Sequence, residues 1–160
     1  MPAITNKIKP PPPAIINLPS HGFLAAVCFL NPGPSAVAAA GIVVDMIIQN
    51  MRSGGQTDLT FTVPMTDFDR AMEIERQVAE EIGAEAVLGD PEIAKVSVVG
   101  VGMKNHSGVA SLMFTSLADE NINIRLISTS EIRISCVVTE KYAELAVRVL
   151  HTAFGLDRSC

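Results

Sequence analysis

Hydrophobic and polar positions along this chain alternate in short runs, and longer stripes of near-helical spacing separate the runs. Leu59 to Val63 (LTFTV) puts Leu59, Phe61 and Val63 on one face and Thr60 and Thr62 on the other, the period of a half-buried strand. Ile42 to Gln49 (IVVDMIIQ), rich in β-branched residues, predicts the strand before it, with Ser53-Gly54-Gly55 as the turn between. Pro64 ends the second run, and Thr66 or Asp67 is placed to cap a helix. Phe68, Met72, Ile74, Val78 and Ile82 then recur at helical spacing, and Gly83 stands where a C-terminal glycine belongs. Lys95 to Val101 predicts a strand, Gly102 to Gly108 a loop, and Val109 to Asp119 a helix with Val109, Leu112, Met113 and Leu117 inward. Ile122 to Ile127 and Ile132 to Val138 predict two more strands. Thr139 opens a last helix with Tyr142, Leu145, Val149 and Phe154 along one stripe.

The two halves repeat. Ile42–Ile47 matches Ile122–Ile127, Leu59–Val63 matches Ile132–Cys136, and helices opening at Thr66 and Thr139 follow. Ser35 to Gly41 aligns with Thr115 to Asn121 as the end of an earlier helix. The offset between the copies drops from 80 to 73 residues because Met51 to Thr57 has no counterpart in the second. The repeated order is strand, helix, strand, strand, helix. It predicts an α+β fold: two tandem ferredoxin-like modules, each an antiparallel sheet with helices on one face. The first module spans residues 21–92, atypical before 35, and the second 93–160. Residues 1–20 read as a Pro-rich N-terminal segment, since Pro10 to Pro13 favours extended polyproline structure over a helix or central strand.

Composition narrows the class. At 48% hydrophobic and 18% charged the chain supports a real core, and at 4% aromatic that core must be aliphatic. A net charge of −5 argues against a nucleic-acid partner, because phosphate binding needs clustered Lys and Arg. Cys28, Cys136 and Cys160 form no CxxC pair, so neither a metal site nor a disulfide framework is signalled, and reduced cytoplasmic thiols are the expectation. No apolar run reaches the roughly 18 residues that span a bilayer. Gly100-Val101-Gly102 hints at a dinucleotide loop, but Asn105 stands at the third glycine position. No nucleophile–base constellation has a supporting motif. The expectation is a chain without catalytic residues, metal or cofactor.

Certain strings are more specific. Asp45-Met46-Ile47-Ile48-Gln49-Asn50 and Thr57 to Pro64 (TDLTFTVP) resemble the first regulatory ACT module of aspartokinases. Val98 to Gly108 (VVGVGMKNHSG) and Ile122 to Ser135 (INIRLISTSEIRIS) resemble the second, and Tyr142 to Leu156 fits its last helix. The resemblance covers about Ser35 to Leu156. The family's kinase domain, which converts ATP and L-aspartate to 4-phospho-L-aspartate, has no counterpart here, so no such activity is expected of this chain alone. Leu18 to Pro34 matches neither the family nor the second repeat, and Ser107 stands where a proline is common. The family's strand that completes the second module's sheet has only a weak candidate, Ala14 to Leu18.

The resemblance implies amino-acid effector sites between paired modules, for lysine, threonine or both, in the aspartate-family (lysine, threonine, methionine) biosynthetic pathway. Carried over by position, Asp45, Gln49, Asn50, Thr57, Asp58 and Thr60 belong to a first site. Asn105, His106, Gly108, Asn123, Ile124, Thr129, Ser130 and Glu131 belong to a second. The chemistry is apt: a helix N-terminus after Gly108 suits a carboxylate, and oxygen-bearing side chains at strand ends suit an ammonium. Each residue also has a plainer role. Asp45 fits a solvated strand, Thr60 the outer face of an alternating strand, His106 a loop, and Ser128-Thr129-Ser130 a polar turn. The implied partners are a second copy, through the ACT modules, or a catalytic aspartokinase chain. The competing reading is a truncated or frameshifted piece that acts only as a dimerisation module.

Overall fold

A computed structural model describes residues 3–4, 13–21, 37, 39–51, 56–100 and 108–156. The chain forms two compact units: Pro10–Pro91, and Glu92–Cys160 together with Met1–Lys9. The strands are β1 (Ala3–Ile4), β2 (Pro13–His21), β3 (Ile47–Met51), β4 (Gln56–Pro64), β5 (Leu88–Asp90), β6 (Ile93–Val99), β7 (Leu126–Thr129) and β8 (Arg133–Thr139). The helices are α1 (Phe68–Ile82), α2 (Val109–Asp119) and α3 (Ala143–Ala153).

In the unit of Pro10–Pro91 the sheet runs β3-β4-β2-β5, all pairs antiparallel. Alternation decides its faces. Leu59, Phe61 and Val63 of β4 join Ala14 and Ile16 of β2 in a buried aliphatic cluster with Ala71 and Met72 of α1, Val37 and Ile42. Ala14 to Leu18, expected as a weak filler of the second module's edge, is instead a central strand of this sheet. Its prolines sit where a missing N–H costs little. Pro13 is the first residue of β2, and Pro19 lies beyond Asn17, the last residue that β5 pairs. β5 was not expected. Gly89 lets it approach α1: a Cβ there would lie 2.6 Å from Phe68 Cζ and 2.7 Å from Met72 Sδ.

In the other unit the sheet runs β1-β6-β8-β7. Ala3–Ile4 pairs with Val98–Val99 and fills the edge that was expected to stand open. Val96, Val98, Ile134, Cys136 and Val138 pack with Met113 and Leu117 of α2, Ile122, and Ala146 and Leu150 of α3. The α2 boundaries agree with the sequence pattern, but Leu112 is 41% exposed, so the inward stripe is narrower than expected. In α3 the buried residues are Ala146 and Leu150, while Tyr142, Leu145 and Phe154 flank the core.

The repeat is visible in local geometry. Asn121 (φ 55°) follows α2, with Asn121 N–H bonded to Ala118 O (2.9 Å) and Ile122 N–H to Leu117 O (2.9 Å). That is a Schellman cap. The first copy repeats it at Gly41 (φ 72°), with Ile42 N–H bonded to Val37 O at 3.2 Å. Residues at and just after the caps therefore serve the helix end, and the strands start later than their apolar runs suggest, at Ile47 and Leu126. Beyond the hairpin the copies differ in register from expectation. Leu59, Phe61 and Val63 occupy the places of Ile134, Cys136 and Val138, an offset of 75 residues instead of 73. A slip of two leaves every side chain on its own face, so alternation cannot detect it.

Candidate functional site

The residues proposed for the first site lie on the β3–β4 hairpin. Asn50 stands opposite Asp58, Met51 opposite Thr57, Ile48 opposite Thr60 and Gln49 opposite Leu59. Asn50, Asp58 and Thr60 share the face turned away from α1, whereas Gln49 points with Leu59 to the other. Thr57, Asp58 and Thr60 are buried, and Asp45, Gln49 and Asn50 are exposed. Asp45 stands apart. It precedes β3, about 17 Å of extended chain from Asn50. There Asp45 N–H bonds to Thr62 O (3.2 Å), Thr62 N–H to Met46 O (3.0 Å), and Met46 N–H to Thr62 Oγ1 (3.1 Å). Two residues of one strand thus face one of the other, which is a β-bulge.

The residues proposed for the second site also divide. Gly108, at φ 110°, is the N-cap of α2, and its carbonyl accepts the first helical bond from Leu112 N–H at 2.7 Å. The N–H groups of Val109, Ala110 and Ser111 have no acceptor within the helix and make an anion-favouring terminus. The helix ends beside the start of β7 and, at about 1.5 Å per residue, runs back toward the opposite end of the sheet. The β7–β8 turn lies at that opposite end. Ser130 N–H and Ser130 Oγ both donate to Arg133 O (2.7 and 3.3 Å), and Gly100 N–H donates to Ile132 O (2.9 Å). Thr129, Ser130 and Glu131 are exposed there. Asn123, exposed, and Ile124, half-buried, sit before β7 at the other end, about 20 Å from Thr129 along extended chain. Asn105 and His106 lie outside the described residues.

Comparison with known proteins places this geometry. An ACT domain model matches residues 96–154. The fold superimposes on the solved aspartokinase alpha and beta subunits with a TM-score of 0.80 and 45% identity, covering 96% of both chains. It does the same on the regulatory subunit of aspartate kinase from Thermus thermophilus, with TM-score 0.80, 36% identity and 96% coverage of both. The chain belongs to the aspartokinase regulatory family. The aspartokinase of Pseudomonas aeruginosa is 57% identical over 131 residues, which is 82% of this chain and 31% of that protein. The Helicobacter pylori aspartokinase is 49% identical over 123 residues, 77% of this chain and 30% of that protein. This aspartokinase regulatory chain therefore spans less than a third of the curated relatives that it matches.

Two polar groups of this regulatory chain escaped the sequence reading. Alternation marks Thr62 only as an outward strand residue, yet it is 1% exposed and its hydroxyl accepts the Met46 N–H at the bulge. Asn17, opposite Thr60 on β2, has a buried Oδ1 with no hydrogen-bond partner among the described residues. It lies before Ser35, outside the stretch that carries the resemblance, and the weak strand reading of Ala14 to Leu18 gave its side chain no role. Among the described residues no group of three or more His, Cys, Asp or Glu is placed to hold a metal, and no helix is long and apolar enough to cross a membrane.

Proposed function

We propose that this chain is the feedback sensor of an aspartokinase: it takes up lysine, threonine or both between paired ACT modules and passes the bound state to a catalytic aspartokinase chain. The observation that carries the reading is the division of each residue set between the two ends of its sheet. One module cannot gather residues about 20 Å apart around a small amino acid. Two modules side by side, with their strands reversed, bring one end of each sheet together. In such a pair the N–H groups after Gly108 receive the carboxylate. Asn123 and Ile124 of the facing module supply backbone and amide oxygens for the ammonium. Likewise Asp45 of one first module would meet Asn50, Asp58 and Thr60 of the module facing it, with Gln49 and Thr57 at the margin, and Thr129 and Glu131 at the rim of the second site.

The close match in extent to a solved regulatory subunit, and to a structure that holds alpha and beta subunits, supports pairing with a catalytic chain. Occupancy that favours one arrangement of the modules biases the partner by the same free energy. The test is thermal unfolding of the chain with millimolar lysine, threonine, both, or leucine as a control. Ligand at a hundredfold its Kd stabilises by about 2.7 kcal/mol, a shift of several degrees. Asp45→Ala and Ser111→Pro, the latter removing one of the free N–H donors of the first turn of α2, should each reduce it. A folded sample whose Tm moves with neither lysine nor threonine is incompatible with the sensor reading.

A further inference from the structure

We infer that Glu75 makes α1 a proton-operated latch on the unit of Pro10–Pro91. The helix closes on its sheet while the carboxyl holds a proton and is driven to lift when the proton leaves, a device that the second repeat lacks. The inference stands apart from the effector reading. The two repeats correspond here at an offset of 75 residues, because Met65–Asp67 and Glu140–Tyr142 are matching short turns and Phe68 and Ala143 open the helices that follow. Ala71 then corresponds to Ala146, both fully buried, and Glu75 to Leu150, 1% and 0% exposed. Leu150 belongs to the apolar cluster of its unit, with Val96, Val98, Met113 and Leu117. The first repeat thus puts a carboxyl in the place of a core leucine, and its Oε2 has no hydrogen-bond partner among the described residues. A neutral carboxyl is tolerated at such a place, whereas an unpaired carboxylate is costly.

Among the described residues no charge faces Glu75. Its neighbours one turn away on α1 are Ala71, Met72, Val78 and Ala79, all buried. The charged residues of the helix, Asp69, Arg70, Glu73, Arg76, Glu80 and Glu81, are exposed. The face that β2 and β4 turn to α1 is apolar apart from Thr57, and Asp58 and Asp90 lie on the opposite face. Asp67, in the turn before α1, is eight residues from Glu75, about 12 Å along the helix. Ala84 and Val87, which pack on Ala79, flank an exposed Glu85. Position then decides how a charge could be hydrated. Glu75 is the midpoint of Phe68–Ile82, seven residues from either end, so fraying of a terminal turn does not bring water to it. The helix must lift from the sheet and uncover Leu59, Phe61 and Val63. Burial pushes the carboxyl up from 4.5 to about 7. The closed unit therefore keeps a proton that the opened unit releases, and opening gains as pH rises from 4.5 to about 7.

The experiment is residue-resolved hydrogen exchange of the full chain at pH 5.5 and pH 8, corrected for the intrinsic rates. It compares opening at the β4 amides of Leu59 and Phe61 with opening at the matching β8 amides of Ile134 and Cys136. In the unmodified chain the ratio of first to second should rise about thirtyfold between the two pH values. In Glu75→Leu, which copies the second repeat, and in Glu75→Gln, the ratio should hold within about twofold. A constant ratio in the unmodified chain, whether both units open together or neither responds, overturns the inference. So does a rise that persists in either variant, and should one variant not fold the other decides. No ligand enters this test, so failure here leaves the sensor reading intact, and a chain that binds neither amino acid leaves the latch intact.

Discussion

Replacing Glu75 by glutamine should remove a pH dependence that the fold imposes on the unit of Pro10–Pro91. Glu75 lies on the inward face of α1 with Ala71, Met72, Val78 and Ala79, all buried. Its own exposure is 1%, and Oε2 has no hydrogen-bond partner among the described residues. The sheet face beneath α1 offers Ala14, Ile16, Leu59, Phe61 and Val63, none of which can solvate a charge. Desolvation pushes the carboxyl up from 4.5 to about 7. The folded state therefore holds a proton that the unfolded state releases between those values, and stability is highest below pH 4.5 and falls as pH rises through 7. At about 1.4 kcal/mol per pH unit, the full effect is roughly 3 kcal/mol, of which about 2–3 kcal/mol falls between pH 5 and pH 8. Urea unfolding followed by circular dichroism at pH 5, 6, 7 and 8 measures it. The difference in unfolding free energy between the original chain and Glu75→Gln isolates this carboxyl from the others. Parallel curves for the two proteins across that range would refute the argument.

Two further substitutions test the packing. Gly89→Ala places a Cβ against Phe68 and Met72 at under 3 Å, so it should cost about 1–3 kcal/mol in urea unfolding by forcing β5 and α1 apart. Leu117→Ala empties a fully buried site under α2 and should cost about 2–5 kcal/mol. Leu112→Ala, on the same helix but 41% exposed, should lower the unfolding midpoint far less.

The faces of the strands were legible because alternation depends only on neighbours. Leu59, Phe61 and Val63 are buried against α1 as their spacing requires. The helix limit at Gly83 was legible for a similar reason, since a left-handed cap selects glycine at one place, and the limit at Asp119 from apolar spacing. The repeat was legible too, but not its register after the hairpin, where a two-residue slip preserves the pattern. Of the site residues, Asn50, Asp58 and Thr60 follow from two adjacent strands and do meet on one face. Asp45 was grouped with them by motif, and Asn123 with Thr129, Ser130 and Glu131, and the structure sets each at the far end of its sheet.

Local sequence thus determined the α+β class, the two copies and the inner face of each strand. These are set by periodicity and by cap chemistry within a few residues. Tertiary structure alone decided which distant segments complete each sheet. Ala3–Ile4 lies on the edge of one and Pro13–His21 in the middle of the other, choices made by long-range hydrogen bonding with no local signature. It also decided the chemical standing of individual polar groups. Glu75 is unusual only because an apolar sheet faces it, and the Thr62 hydroxyl gains a partner only because a bulge across the hairpin brings the Met46 N–H to it.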